Sequence, residues 1–195
     1  MPVVAGLGNA GQSYHRTRHN VGFEVVCKLA DRWHTRWTEG AATRTAYGSF
    51  AGQPVVLVQP QWFMNRSGEA LAQNGLVHDA GELIVVHDEI DLPSGCVRIK
   101  VGGGTAGHRG VASVAAQYGS DFTRIRVGIG RSTSGADVVE HVLERFTPEE
   151  ETIVAAAVQF AADAVECVLE RGLQAAMQRF NTRYAEAENP EPSSS

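Results

Sequence analysis

The fold is decided by a stretch near the N-terminus, residues 3–34, whose sequence is VVAGLGNAGQSYHRTRHNVGFEVVCKLADRWH. Residues 3–7 form a short apolar run, which predicts a buried strand. After a glycine-rich loop, apolar residues recur at helical spacing over 21–33, so we expect a helix that Asn20 caps and that ends near His34. A strand, a loop and an amphipathic helix in this order are typical of an α/β domain.

The rest of the chain continues this alternation. An apolar run from Leu83 to His87 indicates a central strand that is covered on both faces. Thr147 and Glu150 form a capping box with a proline between them, and Gly172 ends the helix that follows. Further strands are predicted over 44–50, 55–59, 97–101 and 123–129, and helices over 69–74, from about 111, over 148–171 and over 173–184.

This pattern predicts a single α/β domain over residues 1–185, with a disordered polar tail over 186–195. We expect a twisted, mixed, mostly parallel sheet that is flanked by helices. The composition, 43% hydrophobic and 20% charged, is ordinary for a globular protein.

Cysteine content and hydropathy indicate the compartment. The three cysteines, Cys27, Cys96 and Cys167, have no CxxC spacing, which argues against a disulfide framework or a zinc site. We find no secretion leader and no run of roughly 18 apolar residues that would span a membrane. We therefore expect a soluble, cytoplasmic protein with no membrane partner.

Charge is distributed unevenly around the net value of −5. Residues 98–131 hold six basic residues and one acid, whereas residues 137–195 hold twelve acids and four basic residues. A basic middle segment favours a local phosphate site, and the alternative is scattered, solvated charge.

The glycine motif over residues 6–11, GLGNAG, has the GxGxxG spacing of dinucleotide sites. In those sites a helix opens directly after the glycines, but here eight residues intervene. No acid ends the next strand, near Phe50, where a ribose partner belongs. The alternative is a tight turn between strand and loop, which leaves Asn9 facing something polar.

A histidine and a group of acids are predicted to meet at one edge of the sheet. His19 ends the first loop, and His87, Asp88, Glu89 and Asp91 follow the central strand, whose carboxyl end is where sites form in open α/β sheets. A carboxylate bonded to one imidazole nitrogen leaves the other nitrogen free to act as a base near neutral pH. Two alternatives stay open: a plain surface histidine, and a metal site at these acids, which lacks HExxH spacing.

The sequence gives little support for a covalent nucleophile. A GxSxG elbow is absent, and Cys27 lies inside an apolar helix pattern. If the protein hydrolyses a substrate, water activated by His19 is therefore the simplest mechanism.

A second glycine loop, GGGTAGHRG over 102–110, joins a basic strand to a helix. Such a loop exposes backbone N–H groups and brings Lys100 close to whatever it covers. It lacks the GxxxxGK[ST] spacing of a P-loop, and the alternative is a long flexible connection.

Six segments, in this order, make the chain resemble bacterial-type peptidyl-tRNA hydrolases over residues 3–184: GLGNAG with Tyr14, RHN at 18–20, FMNRSG at 63–68, HDEIDLPSG at 87–95, KVGGGTAGHRG at 100–110 and RVGIGR at 126–131. The resemblance implies a monomeric enzyme of phosphorylase/hydrolase-like fold. It implies an esterase that cleaves peptide from the 3′ end of tRNA in ribosome rescue, that binds the tRNA acceptor stem, and that uses no metal or cofactor.

The resemblance also implies roles for individual residues. His19 corresponds to the catalytic base, Asp88 to the acid that orients it, and Asn9 to the residue that recognises N-blocked substrates. Asn65 can donate to the developing oxyanion, a role worth about 3 kcal/mol in other hydrolases. Contacts to the peptidyl-tRNA end are expected from Tyr14, Phe63, Met64 and Asn65, and contacts to tRNA from Lys100, Arg109 and Arg126.

Two residues depart from the family pattern. Ala10 replaces a proline, and Arg109 replaces an asparagine, although arginine cannot accept a hydrogen bond. Arg109 therefore favours a second hypothesis, an RNA-binding member of the same superfamily that has lost hydrolysis. A metal-dependent peptidase is a third hypothesis, with no ligand spacing to support it.

Overall fold

The computed structural model describes residues 1–132, 135 and 137–187. Within them lie seven strands, β1 (Val3–Gly6), β2 (Trp37–Glu39), β3 (Thr43–Phe50), β4 (Gln53–Pro60), β5 (Leu83–Glu89), β6 (Val97–Val101) and β7 (Thr123–Gly128). The helices there are α1 (Val21–Arg32), α2 (Ser67–Asn74), α3 (Arg109–Tyr118), α4 (Val138–Leu143), α5 (Pro148–Arg171) and α6 (Leu173–Ala187). The predicted tail lies outside the described residues from 188 onward, and α6 continues to Ala187.

The strands form one mixed sheet with the order β2-β3-β4-β1-β5-β7-β6. Its centre is parallel, because β1 pairs with β4 and β5, and β5 pairs with β7, in the same direction. Its margins are antiparallel, at β2-β3-β4 on one side and β7-β6 on the other. The predicted α/β class and mixed sheet are therefore confirmed.

Helices cover both faces of this sheet, as the apolar central strands require. Successive β1 residues alternate between two cores: Val4 packs with α1 and α5, whereas Val3 packs with α2 and α3. All seven residues of β5 are buried, which agrees with the predicted central strand.

Two glycines let α1 begin directly against the carboxyl ends of β1 and β5. A Cβ on Gly6 would lie 2.2 Å from the carbonyl oxygen of Gly22, and one on Gly22 would lie 2.4 Å from that of Val86. Because the backbones touch here, the short 3₁₀ turn Arg18–Asn20 that precedes α1 is held beside the end of β5. His19 lies in that turn.

Helix α5 differs from the expectation that no segment of the chain is long and apolar enough to span a membrane. By length and composition it is apolar enough to cross a membrane. In the structure it packs against α1, β7 and α6, as the core helix of a globular domain does. Its predicted capping box is present, with Thr147 accepting from the backbone N–H of Glu150.

Four local features differ from the sequence prediction. Strand β2 and helix α4 were not anticipated, because each is short and its pattern is weak. Helix α1 ends at Arg32 rather than near His34. Asn20 occupies the N-cap position, but its side chain does not cap the helix; it binds Asn9 instead.

Candidate active site

A cavity of about 500 Å³ opens at the carboxyl ends of the central strands. Its walls come from the first loop, the Phe63 segment, the end of β5, the second glycine loop and α4. The structure brings eight of the predicted site residues to this cavity: Asn9, Tyr14, His19, Phe63, Met64, Asn65, Asp88 and Arg109. Lys100 and Arg126 do not line it.

The imidazole of His19 is bonded to the carboxylate of Asp88. Nδ1 of His19 lies 2.9 Å from both carboxylate oxygens of Asp88, and the side chain of Asp88 is 2% exposed. A carboxylate accepts hydrogen bonds, so Nδ1 of His19 is the donor to Asp88, and the neutral form of the ring has a free Nε2 acceptor on the side of the cavity that His19 lines.

A second histidine binds the same carboxylate. Nε2 of His108 lies 2.9 Å from Oδ1 of Asp88. Burial by itself would raise the pKa of Asp88, but His108 and His19 beside it hold that pKa well below its ordinary value. Asp88 is therefore ionised at neutral pH and accepts from both rings.

These three side chains have ligand atoms within 4.8 Å of one another, a spacing that a metal centre also uses. Their hydrogen bonds fit that function poorly. Nδ1 of His108 accepts from the backbone N–H groups of Gly110 and Val111. Nε2 therefore carries the proton that points to Asp88, and the same atom cannot also bind a metal ion. The geometry favours a hydrogen-bonded chain of side chains.

The third histidine of this region, His87, lies behind the cavity. Its Nδ1 lies 2.6 Å from the carbonyl oxygen of Asp88, and its ring packs edge-on against His108 at 4.8 Å. Burial, and then the neighbouring His108, lowers the pKa of His87 to about 3. His87 is therefore a neutral packing partner of the site.

Asn9 is fixed from two sides at the cavity wall. Its backbone N–H and C=O bind the side-chain amide of Asn20 at 2.8 and 2.9 Å. Its Oδ1 accepts from the backbone N–H of Met64 at 2.8 Å. Because the amide oxygen is occupied, Nδ2 of Asn9 is the group left to face the cavity.

The cavity has an apolar side opposite these polar groups. Phe63 is 65% exposed, and Val138, Val139 and Leu143 of α4 are each exposed by more than a third. Asn65 is also exposed at this rim. The site therefore places an exposed amide and a base beside a surface that suits apolar side chains.

The predicted basic residues lie at the neighbouring antiparallel edge of the sheet. Arg98 stands opposite Arg126, and Lys100 stands opposite Arg124. Partly buried Arg126 pairs with Glu89 at 3.0 Å, and Arg124 donates to two carbonyl oxygens of the glycine loop. Lys100 is exposed. We call Arg98, Lys100, Arg124 and Arg126 the basic edge.

The acids at the end of β5 are thus distributed among different partners. Asp88 binds the two histidines, Glu89 binds Arg126, and Asp91 binds Arg131. Asp91 is therefore not the acid that contacts His19. Arg109 is exposed at the first position of α3 and lines the cavity.

Sequence reasoning missed His108 and α4 as parts of the site. His108 lies three residues before the predicted start of α3, and a residue that can accept hydrogen bonds near a helix start was a signal for the first, because the N-cap position favours an acceptor. Nothing in the six residues of α4 indicated that they face a cavity, since this depends on where α4 packs.

Comparison with known proteins agrees with this geometry. The chain matches the family model for peptidyl-tRNA hydrolase over residues 3–189. It is 49% identical over 178 residues to a peptidyl-tRNA hydrolase of Rubrobacter xylanophilus, an alignment that covers 91% of this chain and 99% of that one. A relative of the same name from Roseiflexus castenholzii is 45% identical, with 93% and 87% covered.

Solved structures give the same result. The crystal structure of peptidyl-tRNA hydrolase from Acinetobacter baumannii superposes with a TM-score of 0.87 at 31% identity, covering 93% of this chain and 94% of that one. A uridine phosphorylase from Vibrio fischeri, at 9% identity and a TM-score of 0.51, covers 86% and 90% and shares the fold alone. The chain belongs to the peptidyl-tRNA hydrolase family.

Proposed function

We propose that the protein hydrolyses the ester bond that joins a peptide, or an N-blocked aminoacyl group, to the 3′ end of tRNA. The observation that carries this proposal is the pair of His19 and Asp88, 2.9 Å apart, at the wall of the cavity. Family membership supports the ester of peptidyl-tRNA as the substrate.

In the proposed reaction, Nε2 of His19 takes a proton from a water molecule as that water attacks the ester carbonyl carbon. The imidazolium that forms is stabilised by the ionised carboxylate of Asp88. The tetrahedral intermediate then collapses, the bond to the ribose oxygen breaks, and His19 returns the proton to that oxygen. The products are a free peptide acid and tRNA.

In the proposed reaction, two side-chain amides recognise the acyl group. Asn65, exposed at the rim, can donate to the negative charge that develops on the carbonyl oxygen. Nδ2 of Asn9 donates to a carbonyl oxygen of the N-blocked group. A free α-amine is cationic and cannot accept that bond, so an aminoacyl-tRNA is a poorer substrate.

The two surfaces beside the base suit the two parts of the substrate. Side chains of the peptide lie along Phe63 and the apolar side of α4, with Tyr14 and Met64 completing the cavity wall. The acceptor stem of tRNA lies along the basic edge, where Lys100 and Arg126 contact phosphates. The proposed protein is a cytoplasmic monomer, and gel filtration tests this oligomeric state.

The test is release of tRNA from N-acetyl-aminoacyl-tRNA in the presence of EDTA. We expect wild-type protein to hydrolyse it, and His19→Ala to lose at least about 10²-fold in rate while tRNA binding persists. A metal-dependent peptidase would be inactive in EDTA. A variant that keeps most of its rate would show that His19 is not the base.

The same assay tests the alternative hypothesis of an RNA-binding protein without hydrolysis, which only Arg109 favours. That hypothesis predicts a wild-type protein that binds tRNA and releases no peptide. The chain would then have lost hydrolysis while it keeps the residues that the resemblance assigns to the reaction, which are Asn9, His19, Asn65 and Asp88.

A further inference from the structure

His108 connects the start of helix α3 to the carboxylate of Asp88. Its Nδ1 accepts from the backbone N–H groups of Gly110 and Val111, at 3.1 and 3.2 Å. Its Nε2 lies 2.9 Å from Oδ1 of Asp88. The side chain of His108 is only 9% exposed, so both contacts are shielded from water.

These contacts have a fixed direction. A neutral imidazole carries one proton, and a nitrogen that accepts two N–H groups cannot hold it. Nε2 of His108 must therefore be the donor to Asp88. Asp88, in turn, is kept as an ionised acceptor, and Nδ1 of His19 must donate to it. The hydrogen bonds at the first turn of α3 thus determine which nitrogen of His108 donates to Asp88, and the hydrogen bond from Nδ1 of His19 to Asp88 leaves Nε2 of His19 without a proton in the neutral ring.

We propose that His108 is a positioning residue that, through Asp88, fixes the tautomer and the orientation of His19. This inference rests on the proposed function, since the tautomer matters because His19 acts as the base. His108 itself acts on Asp88, and its ring packs against His19 with the centroids 4.9 Å apart.

The surroundings of Asp88 leave His108 as the group that can perform this task. Neutral His87 donates to the backbone carbonyl of Asp88 and not to its carboxylate. Among the described charged groups near the pair, Glu89 binds Arg126, Asp91 binds Arg131, Arg124 binds the glycine loop, and Arg18 binds Glu144 and Glu150. Arg109, next to His108, is exposed at the cavity.

Two substitutions separate the two contacts of His108. In His108→Asn, the side-chain oxygen stands near the place of Nδ1 and can still cap α3, but the amide is too short to reach Asp88. In His108→Gln, the amide nitrogen stands near the place of Nε2 and can still donate to Asp88, whereas the cap of α3 is lost. The pair is therefore a matched test of which contact matters.

We expect His108→Asn to keep its melting temperature and to lose about 10- to 100-fold in kcat, a loss of the size seen when the outer hydrogen-bond partner of a metal-binding histidine is removed. Without the donor, the charge of Asp88 acts more strongly on His19, so the acidic limb of its pH–rate profile moves to higher pH. His108→Gln should melt lower but turn over at least about tenfold faster than His108→Asn. The reverse ranking, with Asn restoring the rate and Gln losing it, would show a purely structural cap.

The ring nitrogens of His19 provide a readout that does not depend on activity. In ¹⁵N-histidine-labelled protein above pH 8, with the signal assigned by its loss in His19→Ala, wild type should show a protonated Nδ1 and a bare Nε2. His108→Asn should show a mixture of tautomers. An unchanged tautomer in that variant would overturn the inference even if the enzyme is active. The expected tautomers in a wild type that releases no peptide would overturn the proposed function alone.

Discussion

Arg109 is an exposed cation at the cavity wall, in a position where the resemblance described above implies an asparagine. Its guanidinium offers donors only, so it can replace the amide in contacts to carbonyl or phosphate oxygens and not in contacts that need an acceptor. It also adds positive charge beside the basic edge.

We therefore expect Arg109→Asn to change kcat/KM by no more than about tenfold, or about 1.4 kcal/mol in barrier. The charge should make capture of tRNA more dependent on salt in the wild type than in the variant, because exposed charges are screened. Measuring kcat/KM for both proteins at low and high salt tests this. Activity that appears only in the variant would instead favour the RNA-binding hypothesis.

His87 makes the stability of the folded protein depend on pH. Its pKa in the folded protein is about 3, below the value of about 6.5 for a free histidine. Between these values the unfolded chain binds a proton that the folded protein does not bind. The contribution of neutral His87 to the free energy of unfolding is therefore complete above the pKa of the unfolded chain. It is lost as the pH falls from that pKa toward the pKa of the folded protein.

From pH 7 to pH 5 we expect this group to cost the wild type about 2 kcal/mol of unfolding free energy. Urea unfolding at both pH values should show a smaller loss in His87→Gln. His78 is an exposed histidine, and His78→Gln serves as the control that behaves as wild type. An equal loss in all three proteins would contradict the assignment to His87.

At the scale of elements, Arg18 connects the 3₁₀ turn that holds His19 to the segment between α4 and α5. Its side chain is 5% exposed and donates to Glu144, to Glu150 and to the carbonyl oxygen of Arg145, with distances of 2.7 to 3.3 Å. Its backbone N–H donates to the carbonyl oxygen of Glu144. The turn that holds His19 and the helix that forms the apolar wall are thus fastened to one side chain.

Arg18→Met should lower the unfolding free energy by about 1–3 kcal/mol, since hydrogen bonds to charged groups are worth about that much when they are partly buried. Arg16 is a matched control, because it pairs with Glu151 at 3.2 Å but is 57% exposed. Arg16→Met should therefore cost about 0.5 kcal/mol or less. Denaturant unfolding of the two variants measures both changes. Equal losses of unfolding free energy would show that the buried contacts of Arg18 stabilise the protein no more than the exposed pair of Arg16 does.

At the scale of the whole molecule, the net charge of −5 and the basic edge act in opposite senses. Long-range repulsion of a polyanion by the acidic surface is screened by salt, whereas a phosphate at the basic edge gains a local contact. Affinity for tRNA should therefore depend on a few cations at this edge and not on the overall charge.

Lys100 is an exposed cation of the basic edge, so replacing it tests whether tRNA affinity depends on this edge. We expect Lys100→Gln to raise KM for N-acetyl-aminoacyl-tRNA and to reduce the slope of log KM against log salt by about 1, with little effect on a small N-blocked ester. The other lysine of the chain, Lys28, lies on α1, and Lys28→Gln is the matched control. Equal loss on both substrates would indicate a structural role for Lys100.

The sequence by itself determined the order of the elements apart from β2 and α4, and it determined the residue types of the site. Apolar periodicity predicted β1, β5 and α5, and the capping box at Thr147 located the start of α5, because these signals act over neighbouring residues. The motifs around His19 and Asp88 indicated a base and an acid.

The residues alone left open which acid at the end of β5 binds His19; the family resemblance pointed to Asp88, and only the tertiary structure showed the partner of each acid. Asp88, Glu89 and Asp91 are nearly adjacent in sequence, yet they bind His19 with His108, Arg126 and Arg131 respectively. Strand alternation and the packing of α1, α3 and β7 around the end of β5 set these partners, and a local pattern carries no record of them. The same holds for α4, of which Val138, Val139, Val142 and Leu143 form part of the cavity wall, because Arg18 and the chain around it fix where the helix packs.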